Sequence, residues 1–190
     1  MSSYQYIIEG GFPLKGRITA SGNKNSALPC LAATLLTDQP VVLRNLPDIE
    51  DVRVMIDILK VLGSAVEKIG HNEYRIHTLD ILREEIPPHL ALKIRASILL
   101  AGPLLARRGR VLLPPPGGDV IGRRPLDTHF LALMELGTRV ESGTFFVLSA
   151  NKLKGAQIFL RFRRRSPSRP SPVLRCARPR VFEHSCRRGR

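Results

Sequence analysis

The chain has 190 residues, 43% hydrophobic and 24% charged, which leaves room for about one packed domain and excludes global disorder. No apolar run approaches the ~18 residues of a membrane-spanning helix, and the opening MSSYQYIIEGGFPLKG lacks the basic-then-apolar order of a signal peptide. The net charge of +14 is divided unevenly: residues 1–160 carry +4, whereas residues 161–190, with 11 Arg, no Lys and the single acid Glu183, carry +10.

In chain order, residues 4–9 and 16–21 read as short strands. Residues 25–36 (NSALPCLAATLL) predict an apolar helix, capped by Ser21 or Asn23, with Pro29 in its first turns where a missing N–H is better tolerated. Residues 40–43 read as a strand. Val52, Met55, Ile56, Leu59 and Leu62 recur at helical spacing and predict an amphipathic helix over 48–62 that Gly63 closes. A strand pair follows at 65–69 and 73–77. Residues 88–105 read as one long apolar helix with Lys93 and Arg95 as charged edge residues. A strand at 110–113, a helix at 125–136, a hairpin of 138–141 with 145–148 and a strand from 158 complete the ordered part. The Arg/Pro/Ser-rich tail from Arg161 shows no periodicity, repels itself and is expected to be disordered.

A repeat runs through this order. Leu62-Gly63-Ser64-Ala65-Val66-Glu67 returns 74 residues later as Leu136-Gly137-Thr138-Arg139-Val140-Glu141, each time after an amphipathic helix and before a hairpin. Strand–helix units of about 70 residues share apolar faces, and one unit does not close a core alone.

Two segments offer chemistry. Ser21-Gly22-Asn23-Lys24-Asn25-Ser26 sets a lysine and two asparagines at a strand-to-helix turn, where helix N–H groups and a mobile ammonium suit a phosphate or carboxylate; on the residues alone a solvated capping turn is the simpler reading, since one lysine near a helix start is common. Pro114 to Asp127 is a Pro/Gly-rich loop with one acid, Asp119, and two arginines, Arg123 and Arg124, that enters a helix at Pro125. Its glycines permit close ligand approach, Arg124 has the fork to grip an anion, and Asp119 acts as an acid only with a raised pKa. Cys30 reads as a small core residue. The three cysteines give neither a disulfide framework nor a metal spacing, and His71, His77 and His89 are scattered. His129 and Asp127, two residues apart on one helix, face different ways.

These two segments, SGNKNSALP from Ser21 and GGDVIGRRPLDTH from Gly117, together with Arg95-Ala96-Ser97 and Leu153-Lys154-Gly155-Ala156, resemble the enolpyruvyl transferases that act on UDP-N-acetylglucosamine. The likeness covers residues 5–160. It implies an α/β (α+β) fold, an inside-out α/β barrel of repeated strand–helix units. Residues 1–20 would be strands belonging to a second domain, residues 21–160 an incomplete domain of two units, and residues 161–190 the disordered tail.

The resemblance also implies transfer of enolpyruvyl from phosphoenolpyruvate to the sugar 3-hydroxyl, the first committed step of peptidoglycan precursor synthesis, in the cytoplasm and without metal or cofactor. Lys24 and Asn25 would hold phosphoenolpyruvate. Arg95, Arg124, Pro125, Leu126, Asp127 and Thr128 would contact the UDP-sugar, with Arg124 also near the phosphate. Asp119, where many members carry cysteine, would protonate the methylene carbon. The family's base and several contacts lie in a second half, so the chain as it stands is expected to be inactive, with an uncovered core that favours self-association. The tail's Arg without Lys, with Pro, Ser and stray Cys, is what a GC-rich gene read in the wrong frame is expected to give, which implies a frameshift near codon 160. Two other classes are alternatives: an Arg-tail binder of nucleic acid, opposed by the scarcity of aromatics in the tail and the lack of a basic stripe in residues 1–160, and a UDP-sugar-binding module without turnover.

Overall fold

The computed structural model describes residues 7, 10, 11, 13, 15–118, 126–159, 173–177 and 181–184. The expected strand at 4–9 lies largely outside them. Residues 16–21 form no strand, and Ile18 is 98% exposed. An extended segment becomes a strand only by pairing, and none of the described strands pairs with it.

Helix α1 (Lys24–Ala33) continues as a 3-10 turn, Thr34–Leu36. Asn23 is the cap, its Oδ1 accepting the Asn25 N–H at 2.7 Å. Ala27, Leu28, Leu31 and Ala32 form one buried stripe. Cys30 lies on the opposite side of that stripe and is exposed, so it is not the core residue expected of it.

Two units of the same plan follow. In the first, β1 (Val41–Leu43), α2 (Glu50–Val61), β2 (Ala65–Gly70) and β3 (Glu73–His77) build an antiparallel sheet of order β1-β3-β2. In the second, β4 (Arg110–Leu113), α5 (Asp127–Glu135), β5 (Arg139–Ser142) and β6 (Phe146–Ser149) repeat it as β4-β6-β5. The repeat extends to single hydrogen bonds. Ser64 N donates to Leu59 O at 2.9 Å and Thr138 N to Leu133 O at 3.0 Å; Leu82 N donates to Leu62 O at 2.9 Å and Lys154 N to Leu136 O at 2.8 Å. Gly63 and Gly137 both take positive φ, +109° and +92°, where the chain turns from helix to strand. The offset is 74 residues before each hairpin and 72 after it, because the second hairpin is the shorter.

The stretch 88–105 is not one helix. It divides into α3 (Pro88–Ala91), a 3-10 helix Arg95–Leu100 and α4 (Ala101–Arg108), with Ile94 extended at φ −132°, ψ 138°. The carbonyls that would continue α3 are engaged elsewhere: Ala91 O accepts from Gly117 N and Leu92 O from Gly118 N, both at 3.1 Å. Pro103 supplies no N–H to carry an α-helical ladder through the junction. The apolar pattern survives the breaks, with Ile94, Ile98, Leu100, Leu104 and Leu105 all buried. Arg107 on α4 binds this region to the first unit. Its guanidinium donates to Thr78 O and Leu79 O at 2.8 Å, and more loosely to Leu35 O and Thr37 O.

Residues 84–86 link the units. Leu112 N donates to Glu84 O at 2.9 Å and Ile86 N to Leu112 O at 3.1 Å, a parallel bridge onto β4. One continuous core runs from Ala27 to Leu148 across both units. Strand β7 (Ala156–Phe159) occupies the place in the second unit that 84–86 holds in the first, and Ile86 and Ile158 are both buried. β7 pairs antiparallel with β8 (Val173–Ala177), and β8 with β9 (Val181–His184). Within the tail, the described segments VLRCA and VFEH are apolar, β-favouring runs; the first pairs with β7 and the second with the first.

Candidate functional site

The lysine-bearing turn is fastened from several sides. Gly22 N donates to Asn45 Oδ1 at 3.1 Å, and a Cβ at Gly22 would collide with the Asn45 carbonyl oxygen. Asn45 itself sits at φ +56°, a left-handed turn that asparagine tolerates. Asn23 Oδ1 holds the Asn25 N–H, and Asn23 O accepts from Ser26 N and Ala27 N at 3.2 and 2.9 Å. The amides of residues 25–27 are therefore engaged by Asn23, and recognition of an anion here falls to the Lys24 side chain rather than to those N–H groups. Lys24 Nζ lies 2.8 Å from Asp51 Oδ2 in the first turn of α2; the side chains are 48% and 29% exposed.

The stem of the second loop is clamped at the break after α3. Gly117 and Gly118 donate to the Ala91 and Leu92 carbonyls. A Cβ at Gly117 would overlap Leu92 O, and Gly118, at φ +89°, would bring one to 3.0 Å from Arg95 N. Only glycine permits this approach. The stem thus starts beside Arg95, the half-buried first residue of the 3-10 helix, which packs against α1. Ser97, fully buried, donates its hydroxyl to Ile94 O at 3.1 Å and keeps the break in shape.

At the far end of the loop, α5 begins with Leu126 at its N-cap position and Asp127 and Thr128 in its first turn. Desolvation by its neighbours, and then the positive charge of Arg95, hold the His129 imidazole below its ordinary value. The start of the loop thus lies against the Arg95 backbone, and at its far end His129 feels the Arg95 charge. Asp119, Arg124 and Pro125 lie outside the described residues. Lys24, Asn25, Arg95, Leu126, Asp127 and Thr128 lie within them, with Lys24 and Arg95 on two elements that pack together. Sequence reasoning missed Asp51, 27 positions from its lysine, and Asn45, whose role depends on a turn from the neighbouring sheet. Neither leaves a local signal beyond an acid near a helix start and an asparagine before Leu-Pro.

Among known proteins, the family model described as EPSP synthase (3-phosphoshikimate 1-carboxyvinyltransferase) matches residues 8–163. A UDP-N-acetylglucosamine 1-carboxyvinyltransferase of Treponema denticola is 58% identical over 157 residues, 83% of this chain and 37% of the relative. The protein of that name from Treponema pallidum is 57% identical over 82% of the chain and 36% of the relative, and that from Bradyrhizobium diazoefficiens 53% over 84% and 37%. The chain thus spans a little over a third of the length of these relatives. In fold it is similar to the enolpyruvyl transferase NikO of Streptomyces tendae, with a TM-score of 0.64 at 24% identity over 76% of this chain and 32% of that one. It is also similar to an EPSP synthase of Acinetobacter baumannii, with a TM-score of 0.56 at 16% identity over 74% of this chain and 33% of that one. With a family match over most of its length and relatives above 50% identity, the chain belongs to the EPSP synthase family of enolpyruvyl transferases.

Proposed function

We propose that this chain carries the first-half portion of a site for enolpyruvyl transfer from phosphoenolpyruvate to the 3-hydroxyl of UDP-N-acetylglucosamine, the cytoplasmic step that opens peptidoglycan precursor synthesis. The observation that carries the reading is the shared name of relatives 53–58% identical over the stretch that includes both motifs. Lys24 and Asn25 take the phosphate end of phosphoenolpyruvate, as an ammonium beside an amide suits a phosphate. Arg95, Arg124, Pro125, Leu126, Asp127 and Thr128 receive the UDP-sugar, with Arg124 also near the phosphate. The sugar O3 adds to C2 of phosphoenolpyruvate, its hydroxyl proton passing to the base that the family carries in its second half, while Asp119 gives its proton to C3. Loss of a C3 proton and expulsion of phosphate then restore the double bond. The clamped glycine stem supports the assignment of Asp119 to a loop that meets substrate, since it sets the start of that loop against Arg95.

Calorimetric titration of the 190-residue chain with phosphoenolpyruvate and UDP-N-acetylglucosamine tests this. Binding of both is expected, and Lys24→Ala should weaken phosphoenolpyruvate at least ~tenfold, about 1.4 kcal/mol, without lowering the melting temperature. A change below ~threefold returns Lys24 to the role of a capping-turn residue. The sugar nucleotide binding without phosphate release, in the presence of both substrates, is the outcome that identifies a binding portion rather than a complete catalyst.

A further inference from the structure

The Lys24–Asp51 pair bears on how the phosphate ligand is held ready. We propose that Asp51 is the positioning residue for Lys24: its carboxylate fixes the ammonium at the mouth of the turn and leaves the remaining N–H donors directed away from α2 for an anion. The proposal rests on the reading of Lys24 as the phosphoenolpyruvate ligand.

A lysine at the first position of a helix has four methylenes of freedom, and ordering it on binding has an entropic cost. Here the ammonium is already placed, 2.8 Å from Asp51 Oδ2, the geometry of a charge-assisted hydrogen bond. Asp51 is suited to the role because its backbone is fixed. It is the second residue of α2, followed by Val52, Val54 and Met55, none more than 2% exposed, and α2 packs directly on α1. Asp51 is also the less exposed partner, so the carboxylate is the fixed end and the lysine the end that faces solvent. A surface ion pair of this exposure adds little to stability. The surrounding turn is immobilised without it, by the Gly22–Asn45 and Asn23–Asn25 hydrogen bonds. What the pair adds is the location of one charge. With the nearest amides already held by Asn23, that charge is the principal attraction the turn offers to an anion.

The test is a double-mutant cycle read by titration with phosphoenolpyruvate, using the full chain as wild type, Asp51→Asn, Lys24→Ala and the double variant, with Asp51→Glu as the conservative control. Asp51→Asn is expected to weaken binding ~five- to tenfold, within the net worth of an ordinary intramolecular hydrogen bond, since the lysine remains charged and half-exposed. It should have no effect in the Lys24→Ala background, and Asp51→Glu should recover most of the loss. Unchanged or tighter binding in Asp51→Asn alongside a loss in Lys24→Ala overturns the proposal and leaves the functional reading intact. An equal loss from Asp51→Asn with and without Lys24 also overturns it, since Asp51 would then act through the fold. Absence of binding by the wild-type chain, or no loss in Lys24→Ala, overturns the functional reading and the proposal with it.

Discussion

Helices α2 and α5 hold the same place in their units, yet α2 hides Val52, Val54, Met55, Ile56, Ile58 and Leu59, while α5 has no fully buried residue. Phe130 and Leu133 of α5 are half-buried, the former against Phe146 with ring centroids 4.8 Å apart, and Leu131 and Met134 are 51% and 47% exposed. The backbone hydrogen bonds that close the two helices correspond one to one. The difference arises from neighbours: α2 packs against α1, α3, β2 and the 95–100 turn, whereas α5 contacts chiefly β5 and β7. Local sequence thus builds the same unit twice, and the elements on either side decide how much of it is buried.

A second contrast lies at the helix-to-strand turn. Ser64 and Thr138 are equivalent and both are buried. Ser64 Oγ is 2.6 Å from Thr78 Oγ1, but the counterpart of Thr78 is Ala150, and among the described residues the Thr138 hydroxyl has no partner. The second unit therefore retains a buried polar atom that the first unit has satisfied.

The largest expected test of this inequality is Arg107→Ala, which removes the guanidinium that joins α4 to the first unit. Carbonyls of Leu35 and Thr78, residues 0% and 1% exposed, lose a charged donor, and a loss of about 2–4 kcal/mol is expected in urea denaturation. Arg107→Lys should recover only part, because an ammonium does not fork across several carbonyls. An unchanged midpoint would show that the first unit is held by its apolar packing alone.

The glycine turns sharpen the comparison. A Cβ at Gly63 would lie 2.7 Å from Leu82 Cγ and 3.1 Å from Asp80 O, while at Gly137 the nearest atom is Lys152 O at 3.8 Å. Both positions have positive φ, so each alanine bears the left-handed strain of about 1–2 kcal/mol. Gly63→Ala should cost at least ~1 kcal/mol more than Gly137→Ala because it adds overpacking. Equal melting temperatures for the two variants would mean that the first unit yields as readily as the second.

The smallest effect concerns the hydroxyls. Ser64→Ala should destabilise by about 1 kcal/mol, leaving Thr78 unpartnered, whereas Thr138→Val should be neutral or slightly stabilising. Ala150→Ser, which offers Thr138 a partner, should raise the melting temperature. If Thr138→Val is as damaging as Ser64→Ala, the two turns are satisfied alike and the contrast fails.

The sequence by itself determined the repeat, because leucine-glycine at a helix end followed by alternating residues encodes a local turn and hairpin. It also located α2, both hairpins and the two motifs. Where it misread the chain, the cause was non-local. Residues 88–105 keep an unbroken apolar period, but the Ala91 and Leu92 carbonyls bond to Gly117 and Gly118, so the helix stops and the Arg95 backbone lies against the loop stem. Cys30 is apolar in sequence but lies off the stripe that α1 buries. Charge marks the tail as self-repelling, and nothing local in it shows that VLRCA has the β7 edge to pair with, or that VFEH pairs in turn with VLRCA. Lys24 was legible as a candidate, but Asp51 was not, since nothing in the 27 residues between them fixes the 2.8 Å approach that the packing of α1 on α2 creates. Spacing along the chain records local geometry. Burial, ion pairing and the ends of helices depend on which distant groups compete for the same atoms, and that only the tertiary structure decided.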